Sequence, residues 1–323
     1  MMNNTMKNQC RVPDNTIVEG KWHRNQYKII KELGFGANGI VYLAQFQNRY
    51  VALKMSENNL SITSEVNVLN SFAKVQGSVL GPSLLDVDDW VRKDKNISFY
   101  VMEYIHGPDF LTFIKQKGQV WIGVLILQLL SDLQRMHERG WIFGDLKPEN
   151  LIVTGPPPKI RCIDVGGTTM EGRAIKEFTE FYDRGYWGLG TRKADPAYDL
   201  FAVGMIMINC AYPKRFPKRE GGIEQLKQAL HQSHQLHEYK PVILKSLQGS
   251  YRSAKDMRED LLLLSSGSKG SKSSKHVTMS RQQTRANNRS VTPAKKKGGI
   301  IETAMILIIV SLFYTIYLYI QVM

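Results

Sequence analysis

Apolar and polar residues first alternate along this chain and later recur at helical spacing, with the change of period near residue 106. Three short runs alternate as strands do: 27–33 (YKIIKEL), 40–45 (IVYLAQ) and 50–55 (YVALKM). The first two are joined by Gly34-Phe35-Gly36-Ala37-Asn38-Gly39, the second pair by a short Asn48-Arg49 turn. Residues 61–75 place Glu65, Val66 and Leu69 at helix-face spacing, and 99–105 (FYVMEYI) reads as a buried strand entering a linker at His106-Gly107-Pro108. The stretch 120–139 begins apolar, turns amphipathic and ends in Glu138-Arg139-Gly140. Its length would suit a membrane span, but Asp132, Arg135, His137 and Glu138 make it a core helix, with His137 as a packing residue at its end. Two further apolar runs lead to Asp145 and Asp164, with Pro156, Pro157 and Pro158 as a tight connection between them, and 199–210 predicts a buried helix. Residues 1–26 are polar and mixed and read as a partly ordered arm.

The chemistry concentrates between Trp141 and Gly166. Asp145, Lys147, Asn150 and Asp164 are the residue types, in the right order, that phosphoryl transfer to a hydroxyl requires. One carboxylate orients the hydroxyl and takes its proton, a cation steadies the transferring phosphate, and oxygen ligands hold magnesium beside it. The bland alternative is a strand–turn–strand with solvated charges. A glycine turn between two antiparallel strands, rather than at a helix start, suggests a flap whose backbone N–H groups approach phosphates. Alone that pattern is weak, and Lys54 at the end of V-A-x-K strengthens it. Lys54 in a cleft needs a partner, for which Glu65 is the best candidate; otherwise Glu65 is one more solvated helix residue. Backbone groups at Glu103 and Ile105 are placed to serve a purine edge. His231, His234 and His237 recur at three-residue spacing, but their glutamine-rich setting favours a solvated helix face over a metal site.

Composition bounds the class. A chain of 323 residues with 43% hydrophobic content can bury a large core in two lobes and still carry an appendage. Cys10, Cys162 and Cys210 are odd in number and far apart, which argues against a disulfide framework or thiolate metal site. The first fifteen residues hold no apolar core of signal-peptide length.

Across 27–264 these motifs resemble the eukaryotic-like, or Hanks-type, protein kinase family. LGFGANGIVYLA resembles the glycine loop, VALK the strand carrying the nucleotide lysine, and MHERGWIFGDLKPENLIV the catalytic loop. IDVGG resembles the metal-binding segment, and Asp199 opens what resembles the helix whose aspartate steadies the catalytic loop. The resemblance implies an α+β, bilobal protein-kinase fold, with a small β-rich N-lobe and a larger α-helical C-lobe. It implies ATP contacts from Leu33, Gly34, Gly36, Ala37, Asn38, Gly39 and Val41, and a Lys54–Glu65 pair on the α- and β-phosphates. Asp145 would orient the acceptor and take its proton, Lys147 would steady the γ-phosphate, and Asn150 and Asp164 would bind Mg2+. A lysine two residues after the catalytic aspartate is the serine/threonine pattern.

Several positions depart from that family. Phe143-Gly144 replaces histidine-arginine, so Gly144 cannot clamp a phosphorylated activation loop, and weak dependence on such phosphorylation is expected. Val165 replaces phenylalanine. Tyr186-Trp187-Gly188 stands roughly where A-P-E is expected, with Ala194-Asp195-Pro196 a poor substitute nearby, and both Thr179 and Thr191 are candidates for the selectivity threonine.

Charge changes the picture only at the end. Of the net +14, nine lysines and arginines fall in 265–299 with no acidic residue, a serine-rich composition expected to be disordered and to span ~30 Å. Residues 303–323 are then uncharged and, as a helix, ~32 Å long, which predicts one C-terminal transmembrane helix. Lys295, Lys296 and Lys297 place the kinase domain on the cytoplasmic side of the cell membrane, in a single-pass protein with essentially no ectodomain. The expected organisation is therefore arm 1–26, kinase domain 27–264, basic juxtamembrane linker 265–299 and anchor 303–323. The linker serves as topology signal, lies on anionic lipid or binds DNA; without aromatic interleaving, sequence-specific recognition is not expected. This architecture resembles the small tail-anchored YabT-type kinases of spore-forming bacteria, which tilts the reading toward DNA. Implied partners are protein substrates with Ser/Thr acceptors, the membrane, DNA or anionic lipid, and a second copy of the chain for autophosphorylation. The alternatives are a pseudokinase scaffold, motivated by the missing motif elements, and a DNA- or lipid-binding tether with little transfer activity.

Overall fold

A computed structural model describes residues 10–36, 38–73, 80–93, 95–219 and 221–267. The basic linker from 268 and the expected span at 303–323 lie outside the described residues, as does Ala37. Among the described residues no helix is long and apolar enough to cross a membrane.

The N-terminal part is one antiparallel sheet. Its strands are β1 (Ile17–Glu19), β2 (Gln26–Gly36), β3 (Gly39–Phe46), β4 (Arg49–Ser56), β5 (Leu84–Arg92) and β6 (Lys95–Glu103), in the order β1-β2-β3-β4-β6-β5. Helix α1 (Asn59–Ala73) packs against it and buries Ile62, Glu65, Val68, Leu69 and Phe72, an i, i+3, i+6, i+7, i+10 stripe with one charge inside it. The register is what matters for chemistry. Gly36 pairs with Gly39 to close the glycine turn, Val41 pairs with Lys54, and Lys54 pairs in turn with Tyr100.

The first strand lies inside what the sequence marks as an arm. β1 pairs with β2, and Cys10, Val12 and Val18 are buried in the sheet's core. Side chains of β5 hold the intervening loop: Asp88 accepts from the backbone N–H groups of Trp22 (3.0 Å) and His23 (2.8 Å). The hydrophobic pattern there is too short and too polar to be seen, and the β5 partners of the loop are 60 residues or more away.

The C-terminal part is helical. It contains α2 (Phe110–Lys117), α3 (Val120–His137), α4 (Arg184–Trp187), α5 (Pro196–Ala211), α6 (Ile223–Gln232), α7 (Lys240–Leu247) and α8 (Ala254–Gly267). Four short strands in two antiparallel pairs complete it: β7 (Trp141–Ile142) with β10 (Thr169–Met170), and β8 (Leu151–Thr154) with β9 (Lys159–Cys162). α5 is apolar all round and buried from Tyr198 to Cys210, which makes it the axis of this lobe. Asp195 caps it by accepting from Tyr198 N at 3.0 Å, and Pro196 occupies the first helical position. α8 runs to Gly267, past the point where composition changes. α6 stops at Gln232, so His231, His234 and His237 are split between that helix and a 3-10 turn rather than sharing one helix face.

Candidate active site

Lys54 and Glu65 form a buried ion pair at 2.6 Å, with the two residues 7% and 2% exposed. The same carboxylate accepts from Tyr100 Oη at 2.7 Å and Ser61 Oγ at 3.2 Å. A buried charge is tolerable when it is both paired and hydrogen-bonded, and Glu65 has three donors. Burial, then the Glu65 charge, pushes the Tyr100 phenol well above its ordinary range, so it stays a donor.

Below the sheet, the β8–β9 hairpin brings Asn150 and Asp164 together. Leu151 pairs with Cys162, and Ile163 N donates to Asn150 O at 3.0 Å, so the residues flanking the hairpin are neighbours. Asn150 is buried, and its amide nitrogen donates to the Asp145 carbonyl at 3.3 Å, which orients the amide oxygen away from that carbonyl. Asp164 accepts from Gly166 N at 2.9 Å. Asp145 presents one oxygen to Lys147 and the other to Thr179 Oγ1 at 3.0 Å, and Lys147 reaches Thr179 at 3.3 Å. Of the two candidate threonines, Thr179 therefore meets the catalytic loop; Thr191 is exposed, and its carbonyl accepts from Arg184 at 2.7 Å.

The loop carrying Asp145 hangs from Asp199. That carboxylate, fully buried, accepts from Phe143 N (2.8 Å), Gly144 N (2.9 Å) and His137 Nε2 (2.9 Å). His137 thus ties helix α3 to α5. Gly144 has φ +84°, and a Cβ there would stand 2.7 Å from the Gly167 carbonyl oxygen. Glycine is required on both counts.

The glycine turn roofs a cavity of about 180 Å³ whose wall includes Gly34, Gly36, Gly39, Lys54 and Asp164. Leu33, the residue before that lining, is 40% exposed, while Val41 packs partly against the core. Glu103 ends β6 and Ile105 follows it, buried; the Glu103 side chain turns to Arg161, a bidentate pair at 2.8 and 3.1 Å that holds its carboxyl below the usual range.

Two features carry no sequence signal. Asp183 and Arg184 anchor the segment before α5: Asp183 takes Arg192 Nε (2.8 Å), Tyr198 Oη (2.9 Å) and the N–H groups of Gly185 and Tyr186, while Arg184 pairs with Asp195 at 2.7 Å. The anchoring thus starts three residues before Tyr186-Trp187-Gly188, the stretch that stands where A-P-E is expected. Second, Glu177 enters the wall of the cavity and bonds Asn38. Burial, then the nearby Asp164, pushes its carboxyl upward.

A β-sheet lobe with a glycine turn and a buried Lys–Glu pair, above a helical lobe bearing Asp145, Asn150 and Asp164, defines a phosphotransferase class. The sequence model described as the protein kinase domain matches residues 27–282. The chain belongs to the protein kinase family, on its serine/threonine side. It is 50% identical to the serine/threonine-protein kinase YabT of Bacillus subtilis, over 98% of each chain. It is 30% identical to a probable serine/threonine-protein kinase of Clostridium acetobutylicum over 40% of this chain and 20% of that one. It is 27% identical to the calcium/calmodulin-dependent protein kinase type 1 of Macrobrachium nipponense, over 64% of this chain and 63% of that one.

Proposed function

We propose that this protein is a membrane-anchored serine/threonine kinase that transfers the ATP γ-phosphate to protein hydroxyls, its own included, and is switched by an anionic polymer on its basic linker. The observation that supports the chemistry best is the convergence of Asp145, Lys147 and Thr179 below the cavity that Lys54 and Asp164 line. Lys54, steadied by Glu65, would hold the α- and β-phosphates. Asp145 would orient the acceptor hydroxyl and take its proton as oxygen bonds to the γ-phosphorus and the bond to the ADP oxygen breaks. Lys147 would steady the γ-phosphate, and the backbone of Glu103 and Ile105 would meet the purine. Asn150 and Asp164, an amide and a carboxylate, are hard oxygen donors that fit a divalent cation such as Mg2+. That cation supplies charge neutralisation on the phosphate oxygens when bound.

Support for the rest is sequence alone. The uncharged 303–323 segment behind Lys295, Lys296 and Lys297 reads as a single C-terminal span with the kinase domain cytoplasmic. Nine cations without an acidic residue in 265–299 read as a DNA-binding tether. If ~4 or 5 of them meet phosphates, log affinity for duplex DNA falls against log salt with a slope of about −4. The test is γ-phosphate transfer by the full-length chain alone, with DNA, and with anionic vesicles, against Asp145→Ala. Transfer at the Asp145→Ala level in every condition would favour the scaffold; stimulation by vesicles but not DNA would assign the linker to lipid.

A further inference from the structure

The segment that leads from Asp164 to α4 touches three parts of the cleft within four residues. Lys176 Nζ reaches Ser64 Oγ on α1 at 3.2 Å, Glu177 bonds Asn38 in the glycine turn, and Thr179 bonds Asp145. Glu177 is the odd member. It is half-buried, and it shares the cavity wall with Lys54 and Asp164. A Cβ built on Gly166 would lie 3.2 Å from Asp164 Oδ1, 3.7 Å from Glu177 Oε2 and 3.7 Å from Asn38 Nδ2, so these three groups converge on one point. Lys54 is attractive to Glu177, whereas Asp164 and Asp145 are repulsive.

A carboxylate in that wall has a consequence for a polyphosphate. The groups that would receive the phosphate chain are Lys54 and the glycine-turn backbone, and Glu177 already stands among them. Its bond to Asn38 ties the glycine turn to the activation segment within that wall. We propose that the Asn38–Glu177 contact is an autoinhibitory clasp: it closes the glycine turn on the activation segment and holds a negative charge at the seat of the phosphate chain. The nucleotide must displace Glu177 to enter. This rests on the cavity being the nucleotide site of a kinase.

The clasp predicts a charge effect confined to the phosphates. In the full-length chain, Glu177→Gln removes the charge and keeps an acceptor for Asn38, and Glu177→Ala removes both. Both variants are expected to tighten MgATP by ~5-fold or more, Ala beyond Gln, because like charges this close in a partly screened cleft cost at least that much. Adenosine, which has no phosphate, is expected to bind all three proteins equally and so reports an intact cleft. MgATP affinity unchanged in both variants would overturn the clasp. MgATP weakened with adenosine unchanged would overturn it as well, by making Glu177 a residue that serves the nucleotide or its cation. Wild-type protein that binds neither adenosine nor MgATP would instead defeat the kinase reading of the cavity, and the clasp with it.

Discussion

Gly144 occupies the position where many kinases carry an arginine, and the structure says what replacing it would do. Its φ of +84° costs an L residue ~1–2 kcal/mol. A Cβ would also stand 2.7 Å from Gly167 O, and Gly167 cannot yield freely because its own Cβ position is already 2.9 Å from Asp145 Cβ. Forcing an extra carbon into such a contact adds ~1–3 kcal/mol. Gly144→Ala is therefore expected to lose ~2–5 kcal/mol, a large share of an ordinary stability of roughly 5–15 kcal/mol. In a domain of this size that lowers Tm by roughly 5–15 °C, followed by circular dichroism on the full-length protein. Transfer activity should fall further than stability, since the strain is absorbed next to Asp145. Gly249 supplies the control: its φ is +64° with no atom within 4 Å of a built Cβ, so Gly249→Ala carries the backbone cost alone. If Gly144→Ala melts within ~1 kcal/mol of Gly249→Ala, the close approach to Gly167 is not what selects glycine, and the reasoning fails.

Three further outcomes are expected. Asp199→Ala strips two buried backbone N–H groups and His137 of their acceptor, at ~1–3 kcal/mol for each orphaned donor, and should lower both Tm and transfer; a variant that melts like wild type would show that water or another group takes over. Thr191→Ala should leave transfer within about twofold, because Thr191 is exposed, its bond to Arg184 comes from the backbone carbonyl and Gly144 cannot read a phosphate there; loss of activity would count against phosphorylation-independent control. The Asp86 carboxylate beside His23 raises its pKa above 6.5, so the contribution of that pair to docking 10–26 is complete below pH 6.5 and fades as pH rises through the raised value. Hydrogen exchange at Trp22 and His23, corrected for intrinsic rates, should accelerate over that rise in wild type and not in His23→Gln; equal slopes would exclude the pair as the cause.

Why some of this was legible in sequence and some not is a matter of range. Lys54, Asp145, Asn150 and Asp164 stand out in the sequence because each sits beside a strand or turn whose local pattern is strong. Pairing Lys54 with Glu65 needed only the helix stripe, since an apolar face with one carboxylate implies a buried partner. The strand at 17–19 has no sequence signal because three residues are too short to show a period, and the loop after it is held by three aspartate side chains of β5 that nothing local marks. Thr179 could not be separated from Thr191 until the chain path was known.

What the linear order determined is the set of chemical groups and the two-lobe succession of periods, since residue type and spacing alone dictate which backbone each run can form. Only the tertiary structure decided how those groups are held: Asp199 gripping the loop at Phe143 and Gly144, Asp183 and Arg184 taking over the anchoring of the activation segment, and Glu177 meeting Asn38 across 139 residues. Each is a contact between segments with no pattern in common, fixed by packing around α5 and by the short approach of Gly144 to Gly167. Distance along the chain carries no information about such meetings; burial and hydrogen-bond geometry do.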